Sequence, residues 1–244
     1  MSDWFKKWFS SDEYLSVYSH RNIEDADNLL NLILDNIIIP SNAKILDAAC
    51  GAGRHSLILA GQGYDVTAFD LSRNLLEIGL ENSINQGLSV NFLCADIRNI
   101  CFKGAFDLVL NMFTSFGYFE SDEENFLFFK NVKRMMKNDC YLVLDYFNAS
   151  YLKKNLVKEN IKTVEGKRIV EKRQVVNDFV VKDIEIKYNG QTRVFKEKVK
   201  LYCYDNLIRQ FEKMGLKVFK VFGNYEGESF SELYSERLII IFSL

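Results

Sequence analysis

Residues 43–56 limit the folds open to this chain more than any other stretch. They read Ala-Lys-Ile-Leu-Asp-Ala-Ala-Cys-Gly-Ala-Gly-Arg-His-Ser. An apolar run through Ile45 and Leu46 ends in Asp47, passes glycines at 51 and 53, and enters a helix-like segment from Ser56. Strand, glycine turn and helix let a ligand approach the backbone at the carboxyl end of a parallel strand. A dinucleotide fold asks for G-x-G-x-x-G, and its third glycine would fall at Ser56, which undercuts a pyrophosphate reading. Asp70 closes the next strand-like run, where a carboxylate accepts hydrogen bonds from both hydroxyls of a ribose. The bland alternative is a structural glycine turn in another doubly wound domain.

The remaining pattern extends this unit. Residues 22–37 form an amphipathic helix with Asn22 as N-cap, ended by Pro40. Strands are expected at 43–48, 64–69, 89–94, 106–110 and 141–145. Helices are expected at 53–62, 72–86 (capped by Ser72) and from the capping box at Ser121 to about Lys137. Strands alternating with helices give a parallel sheet with right-handed crossovers. After residue 150 the period changes: 167–175, 179–188 and 191–202 are strand-like, and Asn189-Gly190 is a type I′ hairpin signal. A helix over 204–214 and strands over 216–222 and 238–242 complete the chain. Residues 3–20 carry an aromatic amphipathic pattern, in which Trp4 and Trp8 read as anchors and Tyr14 and Tyr18 share a helix face.

At 244 residues with 48% hydrophobic and 26% charged residues, the composition is that of a globular domain with a substantial core. No secretory signal or membrane-length apolar segment is present, and five scattered cysteines without a C-x-x-C pair fit neither a disulfide framework nor a metal site. The cytoplasm is the expected compartment. The net charge of −2 gives no sign of a nucleic-acid partner. Residues 151–200, however, hold 14 Lys/Arg against 7 Asp/Glu, a local +7 that leaves −9 for the rest.

Asp47-Ala-Ala-Cys-Gly51-Ala-Gly53, Asp70-Leu-Ser, Ala95-Asp96-Ile97 and Phe106-Asp-Leu-Val-Leu-Asn111 resemble, in order and spacing, the successive motifs of class I S-adenosylmethionine-dependent methyltransferases. The resemblance covers residues 41–146 best. It implies an α/β fold: a Rossmann-like seven-stranded methyltransferase sheet, with an antiparallel β-meander inserted after strand five. Residues 1–150 would be an N-terminal lid and cofactor-binding core, 151–202 the meander, and 203–244 the remainder of the core sheet. It implies S-adenosyl-L-methionine as cofactor. Asp47, Ala49, Gly51, Gly53 and Arg54 would line its methionine part, and Asp70 would take the ribose hydroxyls beside Leu71. Asp96 would accept from the adenine amino group, with Ile97 stacked on the ring. Asn111, Met112 and Phe113 would form the floor near the sulfonium, and Tyr14 or Tyr18 of the lid would approach the carboxylate. For Asp96 the alternative is a plain loop aspartate.

The stretch 111–118 lacks the Asn/Asp-Pro-Pro-aromatic box of amino-adenine and glutamine methylases and the cysteine of cytosine methylases. Its Phe-Thr-Ser-Phe-Gly is similar to the segment in sugar-amine N-methyltransferases and glycine N-methyltransferase-like enzymes. Gly-Arg-His-Ser and Gly63-Tyr-Asp-Val resemble the tellurite-resistance methyltransferases. The implied reaction is methyl transfer to nitrogen or oxygen of a small molecule. No catalytic residue stands out. Tyr118, Asp145 and Tyr146 are candidates, with Tyr225, His20 and His55 more remote; Tyr118 and Tyr146 are expected on the ligand edge. The meander's basic surplus fits an anionic acceptor or carrier, or lysines that merely protect exposed strands. Alternatives are an RNA or protein methyltransferase docking through 151–200, a non-catalytic cofactor-binding module, and, last, a nicotinamide oxidoreductase. Monomer and homodimer both remain open.

Overall fold

The computed structural model describes residues 4–18, 23–104 and 106–244. His20 and Asn22 lie outside them. Two short helices, α1 (Trp4–Phe9) and α2 (Glu13–Val17), precede α3 (Ile23–Leu34). Then β1 (Lys44–Ala48), α4 (Arg54–Gly61), β2 (Asp65–Asp70), α5 (Arg73–Asn85), β3 (Val90–Cys94) and β4 (Phe106–Asn111) alternate. Helices α6 (Asp122–Asn125) and α7 (Leu127–Met135) lead into β5 (Met136–Phe147) and α8 (Ala149–Asn155). Strands β6 (Glu159–Val164), β7 (Lys167–Val176), β8 (Phe179–Tyr188) and β9 (Gln191–Lys200) follow. Helix α9 (Tyr204–Lys213), β10 (Lys217–Phe222) and β11 (Arg237–Ser243) end the chain.

The main sheet has seven strands in the order β10-β11-β5-β4-β1-β2-β3, parallel except for β11, which runs antiparallel to both neighbours. This is the expected methyltransferase sheet. Leu29, Leu30 and Ile33 of α3 and Leu59 of α4 pack on one face against Ile45, Leu108 and Ile239. Phe128, Phe129 and Val132 of α7, with Leu207 and Phe211 of α9, pack on the other against Leu46, Leu142 and Ile240. Burying such side chains contributes about 1.5–3 kcal/mol each, and near-continuous apolar strands such as β4 and β11 need both faces covered. Among the described residues no helix is long and apolar enough to cross a membrane.

The meander is a separate four-stranded antiparallel sheet, β6-β7-β8-β9. Asn189 and Gly190 take positive φ of 49° and 74°, as a type I′ hairpin requires. The inner face of this sheet and the N-terminal helices share a third core of Trp8, Val17, Ile169, Ile184, Ile186 and Phe195.

Three expectations need correction. Strand five begins at Met136, not 141: Met136 pairs with Phe106 across an irregularity that resets the register before Leu108–Tyr141. Strand β6 and helix α8 were not foreseen, because Glu159–Val164 is mostly exposed and carries little apolar alternation. The capping box at Ser121 is half formed: Ser121 Oγ accepts from the Glu124 N–H (3.2 Å), while the Glu124 carboxylate turns to Arg98 instead (2.9 Å).

Gly53 owes its identity to packing. Its φ is +72°, and an added Cβ would lie 2.7 Å from the Phe92 ring of β3. Gly53→Ala should therefore lower stability by about 1–3 kcal/mol, combining left-handed strain with displacement of Phe92. Thermal unfolding tests this, and an unchanged Tm would contradict it.

Candidate active site

The carboxyl ends of β1, β2 and β4 open into three joined cavities beneath the N-terminal helices and the small sheet. The first is a narrow slot of about 90 Å³ between the Gly51–Asp70 corner and the Asp96–Ile97 loop, closed by Phe5 and Phe9 of α1. The second, about 210 Å³, follows the glycine turn past Asp47, Ala49 and Arg54 to Met112 and Phe113. The third, about 220 Å³, lies between Phe113, Thr114 and Tyr118 below and Arg173, Lys182 and Glu197 of the small sheet above. Tyr14 and Tyr118 border all three.

The glycine turn is held by the end of β2. Asp70 Oδ2 accepts from the Gly51 N–H and Oδ1 from the Ser72 N–H, each at 2.8 Å. Each carboxylate oxygen retains lone-pair capacity. Burial raises the Asp70 pKa despite those two backbone donors. Ser72 also caps α5 by accepting from the Leu75 N–H (3.4 Å), and donates to the Phe9 carbonyl (2.7 Å), which seats α1 over the slot. A Cβ on Gly51 would meet nothing closer than Leu75 Cδ1 at 4.0 Å, so the turn is open on its ligand side.

Asp47 is buried and accepts from Ser56 Oγ at 2.6 Å. Burial outweighs that bond, and Asp70 adds repulsion, so its pKa rises to about 6. Asp96 follows the opposite balance. Burial would raise it, but Arg98 grips it through Nε (3.0 Å) and Nη2 (2.7 Å) and holds it below the usual carboxylate range. Asp96 thus combines both readings, a clamped loop aspartate that still lines the slot beside Ile97 and Leu71.

Asn111 Nδ2 donates to the carbonyls of Ala48 (3.2 Å) and Ser115 (3.3 Å), tying two strand ends together, and its buried Oδ1 has no hydrogen-bond partner among the described residues. Phe113 carries φ +53°, with Arg54 4.5 Å above its ring and His55 5.3 Å away. Gly53 lines none of the three cavities, and the Phe92 ring occupies the space where its Cβ would lie.

Of the catalytic candidates, Tyr118 borders all three cavities and the more remote His55 lines the second. Tyr146 is wholly buried in the core and donates its hydroxyl to the Lys200 carbonyl, so its expected place on the ligand edge is corrected. Asp145 is fully engaged. Its Oδ1 accepts from Arg237 Nε (3.0 Å) and Nη2 (2.6 Å), and its Oδ2 from the Phe113 N–H (2.9 Å) and Tyr225 hydroxyl (3.1 Å). It positions Phe113 and Arg237 without itself lining the three cavities.

Sequence reasoning missed Phe5 and Phe9, which close the slot, and Arg173, Lys182 and Glu197 above the third cavity. The signal for the latter was present. Lys182 sits at a period-two position between Val180 and Ile184, and Glu197 between Phe195 and Val199, whereas Arg173 follows Glu171 on its strand face.

Residues 45–139 match a family model described as a methyltransferase domain. A putative methyltransferase, YqeM, from Bacillus subtilis (strain 168) is 34% identical over 108 residues, 44% of this chain and 43% of that protein. A glycine/sarcosine N-methyltransferase from Aphanothece halophytica is 27% identical over 147 residues, 55% and 56% of the two chains. The chain spans about half the length of these curated relatives. Among solved structures, the CcbJ methyltransferase from Streptomyces caelestis superposes with a TM-score of 0.82 at 12% identity, covering 98% of each chain. S-adenosylmethionine-bound CalS10, an amino pentose methyltransferase from Micromonospora echinaspora, gives 0.70 at 16%, covering 95% and 96%.

Arg237→Met should leave the Asp145 charge buried and unpaired and cost about 3–5 kcal/mol. That is a fall in Tm of roughly 10 °C for a domain of this size. Pairing it with Asp145→Leu should recover much of the loss; calorimetric melts of the two variants check both statements.

Proposed function

We propose, from the premise that this chain carries a class I S-adenosylmethionine-dependent methyltransferase domain, that it transfers a methyl group to nitrogen or oxygen of a small-molecule acceptor held in the third cavity. The observation that carries this reading is the cavity itself. It is roofed by the small sheet and joined to the cofactor-side cavities at Tyr14 and Tyr118; its own volume of about 220 Å³ is below the ~300–1,000 Å³ usual for ligand sites, so it suits a small acceptor.

The residues of the first two cavities suit the cofactor. Asp70 presents its carboxylate where ribose hydroxyls would donate. Leu71 and Ile97 offer apolar surface to a base, and the open glycine turn admits a close-lying chain. Asp47 and Arg54 supply opposite charges for an amino-acid moiety. When bound, S-adenosylmethionine supplies a methyl group on a good leaving group, so the protein's task is chiefly alignment. Phe113, pinned by Asp145, and Tyr118, wedged between Trp4 (5.3 Å) and Phe9 (5.5 Å), fix the walls where donor and acceptor would meet.

Docking of RNA or protein through the basic segment finds less support. Lys182 and Arg173 point inward, and some of the outward lysines are neutralised by carboxylates, Lys187 by Glu185 (2.9 Å) and Lys196 by Asp183 (3.3 Å).

Incubation with methyl-tritiated S-adenosylmethionine and a fractionated cell extract tests the acceptor class. Label is expected in the small-molecule fraction; label confined to RNA or protein would overturn the reading. Asp47 gives a second test. Its folded pKa of about 6 lies above the unfolded value of 3.8. Its contribution to stability is therefore full below about pH 4 and lost as pH rises through 6, a cost of about 3 kcal/mol. A ligand ammonium accepted by the ionised carboxylate recovers this. Affinity for S-adenosylhomocysteine should rise between pH 5 and 7, by up to about tenfold per unit below 6, and Asp47→Asn should flatten the profile.

A further inference from the structure

The inner face of the small sheet is an unusual place for charge. In β7, β8 and β9 the residues facing the third cavity alternate with those facing away, and the register sets Arg173 opposite Lys182 and Lys182 opposite Glu197. Behind them Glu171, with a side chain only 3% exposed, takes Arg173 Nη2 at 2.9 Å and lies 3.7 Å from the Lys182 ammonium. The cavity wall thus bears three cations, Arg173, Lys182 and Arg237, facing one anion, Glu197.

These cations are not equally engaged. Lys182 lies 2.5 Å from Glu197, beside Glu171, and donates to the Tyr18 hydroxyl, which satisfies an ammonium's three donors. Arg237 holds Asp145 through two nitrogens and reaches Thr114 Oγ1 at 3.4 Å. Arg173 differs. Among the described residues only Glu171 engages its guanidinium, and only through Nη2, while Nη1 and Nε have no protein partner. Its carboxylate is also shared with Lys182. A guanidinium fixed at one corner, with its other donors facing a cavity, has the geometry that reads a planar or tetrahedral oxyanion.

We propose that Arg173 is the specificity-determining residue of the acceptor cavity, so that the acceptor carries an oxyanion (a carboxylate, phosphate or sulfate) besides the atom that is methylated. This rests on the third cavity being the acceptor cavity. Arg173 would dock the anionic end against the small sheet and direct the opposite end toward Tyr118 and Phe113, where the cavity joins the cofactor side. Glu171 then acts as a positioning residue for the guanidinium. Neutral acceptors of equal size would leave the Arg173 donors facing nothing, which discriminates against them.

The test uses the full chain saturated with S-adenosylhomocysteine, titrated with sodium acetate, phosphate or sulfate against chloride at matched ionic strength. Tryptophan fluorescence is the readout, because Trp4 lines the cavity. Wild type should show a saturable change with at least one oxyanion that chloride does not reproduce, and the relative affinities identify the oxyanion. In Arg173→Gln the apparent Kd should weaken at least tenfold with S-adenosylhomocysteine affinity unchanged. Arg173→Lys, which keeps the charge but not the fork, should fall between the two. An equal response in Arg173→Gln, or no response in wild type to any of the three anions, would overturn the proposal. Failure of wild type to bind S-adenosylhomocysteine in calorimetry would instead count against the methyltransferase reading, and the same titration without it would still decide the role of Arg173.

Discussion

The two hydrogen bonds that Asp70 accepts from Gly51 and Ser72 hold the candidate site together. They join the end of β2 to the turn after β1, and Ser72 passes the constraint to α5 and to the Phe9 carbonyl. One carboxylate therefore fixes the glycine turn, starts a helix and seats the N-terminal cover. It does so while buried, which disfavours its charge, so the turn is stable only because both oxygens are supplied with backbone donors.

The cover and the small sheet behave structurally as one unit. Trp8 Nε1 and the Tyr18 hydroxyl both donate to Glu197 Oε1, at 2.6 and 2.5 Å, and Arg193 pairs with Glu13 at 2.5 Å. Their shared apolar core means that α1 and α2 are too short to be stable alone but fold as part of the sheet's inner layer. The loop beneath is stitched to the same sheet: the Lys200 N–H donates to the Gly117 carbonyl at 2.7 Å, and Gly117 sits at φ +89°. Cavity walls that come from both ends of the chain are thus positioned by a common element.

Much of this was legible in the sequence. The parallel strands, the glycine turn, Ser72 and the Asn189-Gly190 hairpin carry local signals that depend on backbone geometry alone. What escaped depends on contacts distant in sequence. The placement of Tyr146 turns on whether its strand end faces the core, and a nearly continuous apolar strand hides its facing. Asp145 reads as a free carboxylate until Arg237, 92 residues later, is brought beside it. That Gly53 also answers to packing shows only once Phe92 of β3 is placed against it. The basic surplus of residues 151–200 was visible, but its division between an inward cluster and outward lysines, Lys187 and Lys196 among them, follows only from strand register.

The central claim is that the Gly51–Asp70 corner forms the cofactor site. Calorimetric titration of S-adenosylhomocysteine into wild type and Asp70→Ala, both confirmed as folded, tests it most directly. The account predicts a dissociation constant on the order of micromolar for wild type, about −8 kcal/mol, and none measurable for Asp70→Ala. No binding by wild type, or equal binding by the two proteins, would contradict it.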